Sequence, residues 1–108
     1  MIPLSFAQRR MWFLFRFEGP SVTYNLPVVL RLRGEVDAAA LAAAVRDVVI
    51  RHEVLRTVVV EDEGGSAFQR VVAEDELVLD APVFDVDPSA VAATVSELVN
   101  YRFDLAAE

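Results

Sequence analysis

The sequence predicts an α+β fold in which helices cover one face of a small mixed or antiparallel sheet. Two observations support this. Apolar residues recur with helical spacing in three segments, and runs that are β-branched or alternate in polarity lie between them. The predicted order is helix, strand, helix, hairpin, helix. With 108 residues and 55% hydrophobic content, the chain has enough apolar material for one core.

The first helix is predicted to begin after Ser5, because Ser5 and Gln8 have the spacing of a capping box. The apolar residues that follow share one helical face, and they are Ala7, Met11, Leu14 and Phe15. Gly19-Pro20 is a typical stop signal, so the helix is expected to end there.

A strand is predicted next, since residues 28–33 alternate between two faces after Pro27 and stop at Gly34. Asp37 is suited to cap a second helix. That helix has one apolar face, formed by Leu41, Val45, Val48, Val49 and His52.

The second half of the chain predicts a hairpin and a third helix. Residues 54–60 and 68–72 are apolar runs, and a loop with Gly64-Gly65 separates them. A weaker strand is expected near residues 77–79. Asp87-Pro88 suits the cap and first turn of a helix. The face of that helix is formed by Val91, Val95, Leu98, Val99 and Arg102.

Charge and composition exclude several classes of function. The net charge of -7 repels phosphate backbones and anionic lipid, so neither nucleic acid nor a membrane is an expected partner. Without cysteine there is no disulfide or thiolate metal site. No secretion leader and no apolar run of membrane-spanning length occurs, and we expect a cytoplasmic, soluble protein.

Few residues offer chemistry of their own. His52 is the one histidine, so a Ser-His-Asp triad would have to use it, and a two-histidine metal site is excluded. Its position at a helix end favours a structural histidine over a general base. The acidic residues near the loops are interpreted as solvated turns, and they are Glu61, Asp62, Glu63, Glu74, Asp75 and Glu76. The glycines do not form a phosphate-binding loop.

Two motifs are specific. Ser5, Ala7, Gln8, Arg10 and Trp12 match the pattern SxAQxRxW, and residues 51–57 match RHExLRT through Arg51, His52, Glu53, Leu55, Arg56 and Thr57. On these motifs the chain resembles the N-terminal segment of a nonribosomal peptide synthetase condensation domain. Residues 24–27 and 103–105 are also similar to that family. The resemblance implies a chloramphenicol-acetyltransferase-like fold, of which residues 1–108 would form part of the N-terminal lobe.

The resemblance implies an acyl-transferring enzyme that forms peptide bonds. In that family two peptidyl carrier protein domains deliver thioesters on phosphopantetheine arms, and an HHxxxDG loop supplies the catalytic histidine. No HH pair occurs in residues 1–108, so we expect no catalytic residue here and no activity from this segment alone. No cofactor is expected to bind directly. The alternative is a non-catalytic relic that binds carrier proteins or docks to another domain.

The motif residues are expected to have mainly architectural roles. Trp12 carries an N–H that needs a partner when it is buried. If Arg56 points inward from its strand, it requires a carboxylate. The resemblance implies that Arg56 supports the catalytic loop, and a local pair with Glu53 or Asp47 is equally open. The sheet edge beside residues 103–105 is expected to be unpaired, so the remainder of the domain or a second copy would cover it.

Overall fold

The computed structural model describes residues 1–108 and has the predicted α+β class. Its helices and strands follow one another in the order β1 (Ile2–Pro3), α1 (Phe6–Glu18), α2 (Ala38–Arg51), β2 (Thr57–Glu61), β3 (Ala67–Val71) and α3 (Val91–Val99). Short 3₁₀ turns, Glu53–Arg56 and Pro88–Ala90, precede β2 and α3.

The strands form one antiparallel sheet in the order β1-β3-β2. The β2–β3 hairpin was predicted, and its turn is closed by the Asp62 carboxylate, which accepts from the N–H groups of Gly64 (2.9 Å) and Ser66 (2.8 Å). Gly65 has φ +79°, a conformation that favours glycine. Strand β1 was not predicted, because two residues are too short to show a periodicity.

Helices α1 and α2 begin at their predicted caps, and Asp87 caps the 3₁₀ turn before α3. The Ser5 hydroxyl accepts from the Gln8 N–H at 3.2 Å, and the Ser5 N–H donates to the Gln8 side chain at 2.8 Å. Asp37 accepts from Ala40 at 3.0 Å. The Asp87 carboxylate accepts from the hydroxyl and the N–H of Ser89, and these bonds hold the pKa of Asp87 below its ordinary value. The caps predicted for α1 and α2 are therefore confirmed, whereas α3 itself begins only at Val91, after the capped 3₁₀ turn.

Two predicted strands are wrong. Residues 26–36 make no backbone hydrogen bond, so the alternating segment 28–33 has no strand next to it. Residues 77–79 also lie outside the sheet. Alternation indicates which side chains share a face, but a strand also needs a neighbour for its backbone groups. Nothing else in residues 1–108 supplies that neighbour for the segment 28–33.

Two boundaries also differ from the prediction. The strand expected from Val54 begins at Thr57, because a 3₁₀ turn closed by the bond from Leu55 N–H to His52 C=O occupies the preceding residues. Helix α3 ends at Val99, so Arg102 lies beyond it.

The single dense core that the composition allows is not formed. Only Leu4, Trp12, Val49 and Val58 are buried. The radius of gyration is 16.6 Å, whereas a compact domain of this length has about 13 Å. Much of the apolar content lies on the surface, where it is available to other polypeptide. None of the helices is both long and apolar enough to cross a bilayer.

Candidate functional site

The first motif joins α1 to the end of β2 through Trp12. The indole Nε1 donates to Oε1 of Glu61 at 3.2 Å, and Trp12 is buried. The other oxygen of Glu61 accepts from Arg16 at 2.9 Å, and the Arg16 guanidinium lies 5.9 Å from the Trp12 ring centroid. Both oxygens of one carboxylate therefore fix α1 against the last residue of β2. The predicted need of Trp12 for a partner is met by Glu61.

The second motif is built around Arg56, which ends the 3₁₀ turn before β2. Its side chain is only 10% exposed. Nη1 donates to the carbonyl of Val72 at 2.6 Å, and Nη2 donates to the carbonyl of Ile50 at 3.4 Å. The guanidinium therefore connects the last turn of α2 to the residue that follows β3. Its Nε is buried and has no hydrogen-bond partner.

Of the two local carboxylates expected as partners of Arg56, only Glu53 lies within ion-pair distance of it. Arg56 lies in a turn rather than on a strand, and no buried carboxylate meets it. The local pair with Glu53 is present but long at 3.9 Å, and the Glu53 side chain is 70% exposed. Such a pair contributes little. Asp47 forms no ion pair. Backbone carbonyls are therefore the principal partners of this buried cation.

The other motif residues lie mainly on the surface. Ser5 and Gln8 form the cap of α1, and the Thr57 hydroxyl donates to the carbonyl of Glu53 at 2.7 Å. The exposed motif residues are Ser5, Ala7, Arg10, Arg51, His52, Glu53 and Leu55. His52 was expected on the apolar face of its helix, but it is the C-cap and its ring makes no hydrogen bond within the chain.

The two motifs meet opposite ends of β2. Trp12 is bonded to Glu61, whereas Arg56 precedes the first residue of the strand. Five residues of extended chain span about 16 Å. The structure therefore does not bring Trp12 and Arg56 into one cluster, and the Gln8 amide is used in its own cap.

Carboxylates elsewhere have separate local partners. Asp62 closes the hairpin turn, and Glu76 lies 3.4 Å from Arg70. Glu61 is the exception to the prediction of solvated acidic turns. The histidine and the carboxylates form no group with the arrangement of a metal site.

A surface that the sequence analysis did not identify lies on the outer side of α1. Phe6, Phe13 and Phe17 are 90%, 65% and 78% exposed. At 100° per residue they fall within about 40° of one another, on the side opposite Trp12 and Phe15. The Phe13 and Phe17 rings stack at 6.2 Å, and Arg9 lies 5.9 Å from the Phe6 ring. We call Phe6, Phe13 and Phe17 with Arg9 and Arg10 the α1 outer face.

Asn25 makes long-range contacts that no local pattern indicates. Its side-chain amide donates to the carbonyls of Tyr101 (2.6 Å) and Val99 (3.3 Å), so it joins the loop after α1 to the end of α3. An apolar groove adjoins this contact. Its apolar lining consists of Met11, Leu14, Phe15, Tyr24, Leu26, Phe103 and Leu105.

Comparisons with known proteins agree with both motifs. The condensation-domain family matches residues 1–108. A probable non-canonical nonribosomal peptide synthetase of Salinispora arenicola and a dimodular nonribosomal peptide synthase of Bacillus subtilis are each 49% identical over 107 residues. An isonitrile lipopeptide synthase of Mycobacterium tuberculosis is 44% identical over 117 residues. Each alignment covers 99% of this chain but only 1%, 4% and 4% of these relatives.

The match therefore extends from the cap of α1 through the Arg56 turn to the segment after α3. The chain belongs to the condensation-domain family and corresponds to the N-terminal segment of such a domain.

Proposed function

We propose that residues 1–108 are the scaffold of an enzyme lobe that forms peptide bonds between carrier-bound thioesters in the cytoplasm. The open architecture is the observation that carries this proposal. Only four residues are buried, and residues 26–36 have free backbone donors and acceptors. An exposed apolar surface of this extent is typical of an interaction site, so the lobe is built to pack against further polypeptide. The remainder of a condensation domain is the partner that fits.

Within this lobe, Arg56 is proposed as a positioning residue. It is almost fully buried and fixes the carbonyls of Ile50 and Val72, which lie on different elements. Its unpartnered Nε retains one donor. A carboxylate on the supporting loop of the catalytic histidine would satisfy that donor once the lobe is complete. The catalytic residue itself is not proposed among residues 1–108.

The α1 outer face is proposed to receive a carrier domain. Three exposed phenylalanines offer an apolar contact that is unusual on a free surface, and aromatic side chains often anchor interfaces. Arg9 and Arg10 flank them. Guanidinium groups bind phosphate well, and a carrier's phosphopantetheine arm contains a phosphodiester. The face therefore combines an apolar anchor with an anion contact, although the protein as a whole is acidic.

A second candidate function is a docking module without catalysis. The exposed phenylalanines of the α1 outer face favour it, because carrier binding on α1 does not need the catalytic loop. The two candidates differ in what the chain does when the rest of a condensation domain is supplied.

Complementation distinguishes them. The 108-residue chain is mixed with the part of the B. subtilis relative's condensation domain that follows the matched segment, together with loaded donor and acceptor carriers. The first candidate predicts that a dipeptidyl thioester forms only when both pieces are present. Carrier binding without product in the reconstituted complex supports the second candidate. Product from the 108-residue chain alone contradicts both.

Carrier docking is tested separately by titrating the chain with phosphopantetheinylated and unmodified carrier. Phe13→Glu is expected to weaken binding of both forms at least about tenfold, or 1.4 kcal/mol. Arg9→Gln is expected to weaken mainly the modified form. Val78→Glu is the matched control, because Val78 is 89% exposed and follows Leu77, whose carbonyl is bound by Arg46 of α2. Equal effects at Val78 and Phe13 would contradict a specific face.

A further inference from the structure

The segment that follows β3 has little backbone structure of its own. Strand β3 ends at Val71, and residues 73–86 make one backbone hydrogen bond, from the Glu76 N–H to the Ala73 carbonyl at 3.1 Å. The other backbone groups of this stretch must therefore be satisfied by side chains or water. We call residues 72–77 the post-β3 segment.

The near end of the post-β3 segment sets the position of the Arg56 guanidinium. The Val72 N–H donates to the Arg56 carbonyl at 2.8 Å, and Nη1 of Arg56 donates back to the Val72 carbonyl at 2.6 Å. The bond from Nη2 to the Ile50 carbonyl is longer, at 3.4 Å. Because the shorter bond is the stronger one, a shift of Val72 moves the guanidinium together with its unpartnered Nε.

The far part of the post-β3 segment is held by Arg46 of α2. Nη2 of Arg46 donates to the Glu74 carbonyl at 3.1 Å, and Nη1 donates to the Leu77 carbonyl at 3.3 Å. Arg46 forms no ion pair, so its cation serves backbone carbonyls, as that of Arg56 mainly does. Two carbonyls three residues apart suit the planar guanidinium, whose donors point in fixed directions.

Arg46 and Arg56 attach the segment to the same turn of α2. Arg46 and Ile50 are four residues apart on this helix, which is about 6 Å along its axis. Arg46 extends from α2 to the segment, whereas Arg56 binds both the segment and the Ile50 carbonyl. Arg70 makes the remaining polar contact, a 3.4 Å pair with Glu76 in which the side chains are 49% and 62% exposed. Such an exposed pair contributes little, so Arg46 is the principal polar support of the segment beyond its first residue.

We propose that Arg46 is a further positioning residue, which holds the post-β3 segment against α2 and so keeps the Val72 carbonyl where it directs the Arg56 guanidinium. This inference rests on the proposed role of Arg56 in supporting the catalytic loop, and it adds the residue that holds Arg56 in place. Without Arg46, the segment beyond Val72 keeps one polar contact with the rest of the fold, the exposed pair of Arg70 with Glu76. The junction of Val72 with Arg56 then loosens, while the β2–β3 ladder keeps its own backbone bonds.

Hydrogen exchange in the 108-residue chain tests whether Arg46 holds this junction. Arg46→Met is expected to accelerate exchange of the Val72 amide by roughly 3- to 10-fold, the equivalent of one net hydrogen bond, while amides of the β2–β3 ladder keep their rates. Arg46→Lys should give nearly the same acceleration, because an ammonium group lacks the paired donors of the guanidinium. Arg70→Met is the matched control, since Arg70 contacts the same segment through an exposed ion pair, and its expected change is below about twofold.

Three results would overturn the proposal. The first is unchanged exchange at Val72 in Arg46→Met, or a change equal to that in Arg70→Met. The second is wild-type exchange in Arg46→Lys, because a positive charge alone would then be sufficient. The third is a general acceleration across β2 and β3, which would mean that the whole fold is destabilised.

Product formation tests whether Arg46 acts through Arg56. A displacement of about 1 Å near a catalytic group can cost about a hundredfold in rate, and the displacement expected here is smaller. In the reconstituted condensation reaction, Arg46→Met should therefore lower kcat about 3- to 10-fold and leave KM for both carriers unchanged. In an Arg56→Met background the same substitution should change kcat by less than about twofold, because the residue through which it acts is already lost.

The outcomes separate this inference from the function on which it rests. Equal losses of kcat in both backgrounds, or an unchanged kcat in the wild-type background, overturn the positioning role. If the wild-type chain gives no product, the proposed function fails, whereas exchange at Val72 still decides whether Arg46 holds the junction.

Discussion

Replacement of Arg56 by methionine is the most informative test of the second motif, because methionine keeps most of the volume and removes the charge. The variant loses the 2.6 Å bond to Val72 and the weaker 3.4 Å bond to Ile50. A hydrogen bond from a charged donor contributes about 1.5–3 kcal/mol. Removing a buried cation regains part of its desolvation cost. The two effects leave an expected loss of about 2 kcal/mol in the free energy of unfolding.

Two control variants show which contacts of Arg56 account for the expected loss of stability. Glu53→Gln removes only a 3.9 Å pair with a carboxylate that is 70% exposed, so the expected loss is below about 0.5 kcal/mol. Arg46→Met is the matched arginine control. Arg46 also donates to two carbonyls, those of Glu74 and Leu77, but at 3.1 and 3.3 Å, and its bond to Glu74 is exposed. We expect a loss of about 1 kcal/mol there.

Urea unfolding followed by the fluorescence of Trp12, the single tryptophan, measures all three variants. The expected order of destabilisation is Arg56→Met, then Arg46→Met, then Glu53→Gln. If Glu53→Gln is as destabilising as Arg56→Met, the ion pair dominates and the reasoning from carbonyl partners is wrong. An Arg56→Met variant as stable as the wild type would refute it as well, since desolvation would then cancel both bonds.

Three further predictions concern other contacts. Trp12→Phe keeps an aromatic ring but removes the bond to the carboxylate at the end of β2, and calorimetry should show a loss of about 1–2 kcal/mol. Asp37→Ala removes the α2 cap, so about 1 kcal/mol should be lost in the same measurement. The Tyr101 hydroxyl donates to the Glu108 carboxylate, and this bond raises the pKa of Tyr101. The bond therefore contributes stability below the unfolded pKa of about 10, and that contribution is lost as pH rises through the folded pKa. In a Tyr24→Phe background, near-ultraviolet absorbance should give a lower titration midpoint when Glu108→Gln is added.

The sequence predicted the parts of the fold that depend on contacts between residues close together in the chain. Ser5, Asp37 and Asp87 each cap a helix within a few residues, and the hairpin turn is closed by Asp62 and its neighbours. The caps depend on sequence spacing, so the sequence was sufficient to predict those of α1 and α2. The bonds of Asp62 are equally local, but only the turn itself was predicted.

The errors arose where a long-range partner decides the structure. The alternating segment 28–33 has the pattern of a strand, but pairing depends on another segment of polypeptide, and residues 1–108 supply none. Glu61 appeared to belong to a solvated turn, yet it binds Trp12 and Arg16, which are 49 and 45 residues away. The indole N–H of a buried Trp12 indicated that a hydrogen-bond acceptor was needed, but the sequence did not identify which carboxylate would accept from it.

The two motifs contain no catalytic group, and their positions indicate a structural role, because each holds one end of β2. Strand β2 is held at its far end by Trp12 through Glu61 and at its near end by Arg56, and Val58 between them is the most buried residue of the chain. The two anchors share no partner and are about 16 Å apart along the strand. If each acts on its own end, the losses from Trp12→Phe and Arg56→Met should add to within about 0.5 kcal/mol in the double variant. A larger coupling energy would mean that β2 shifts as one rigid unit, and that either motif alone positions the whole strand.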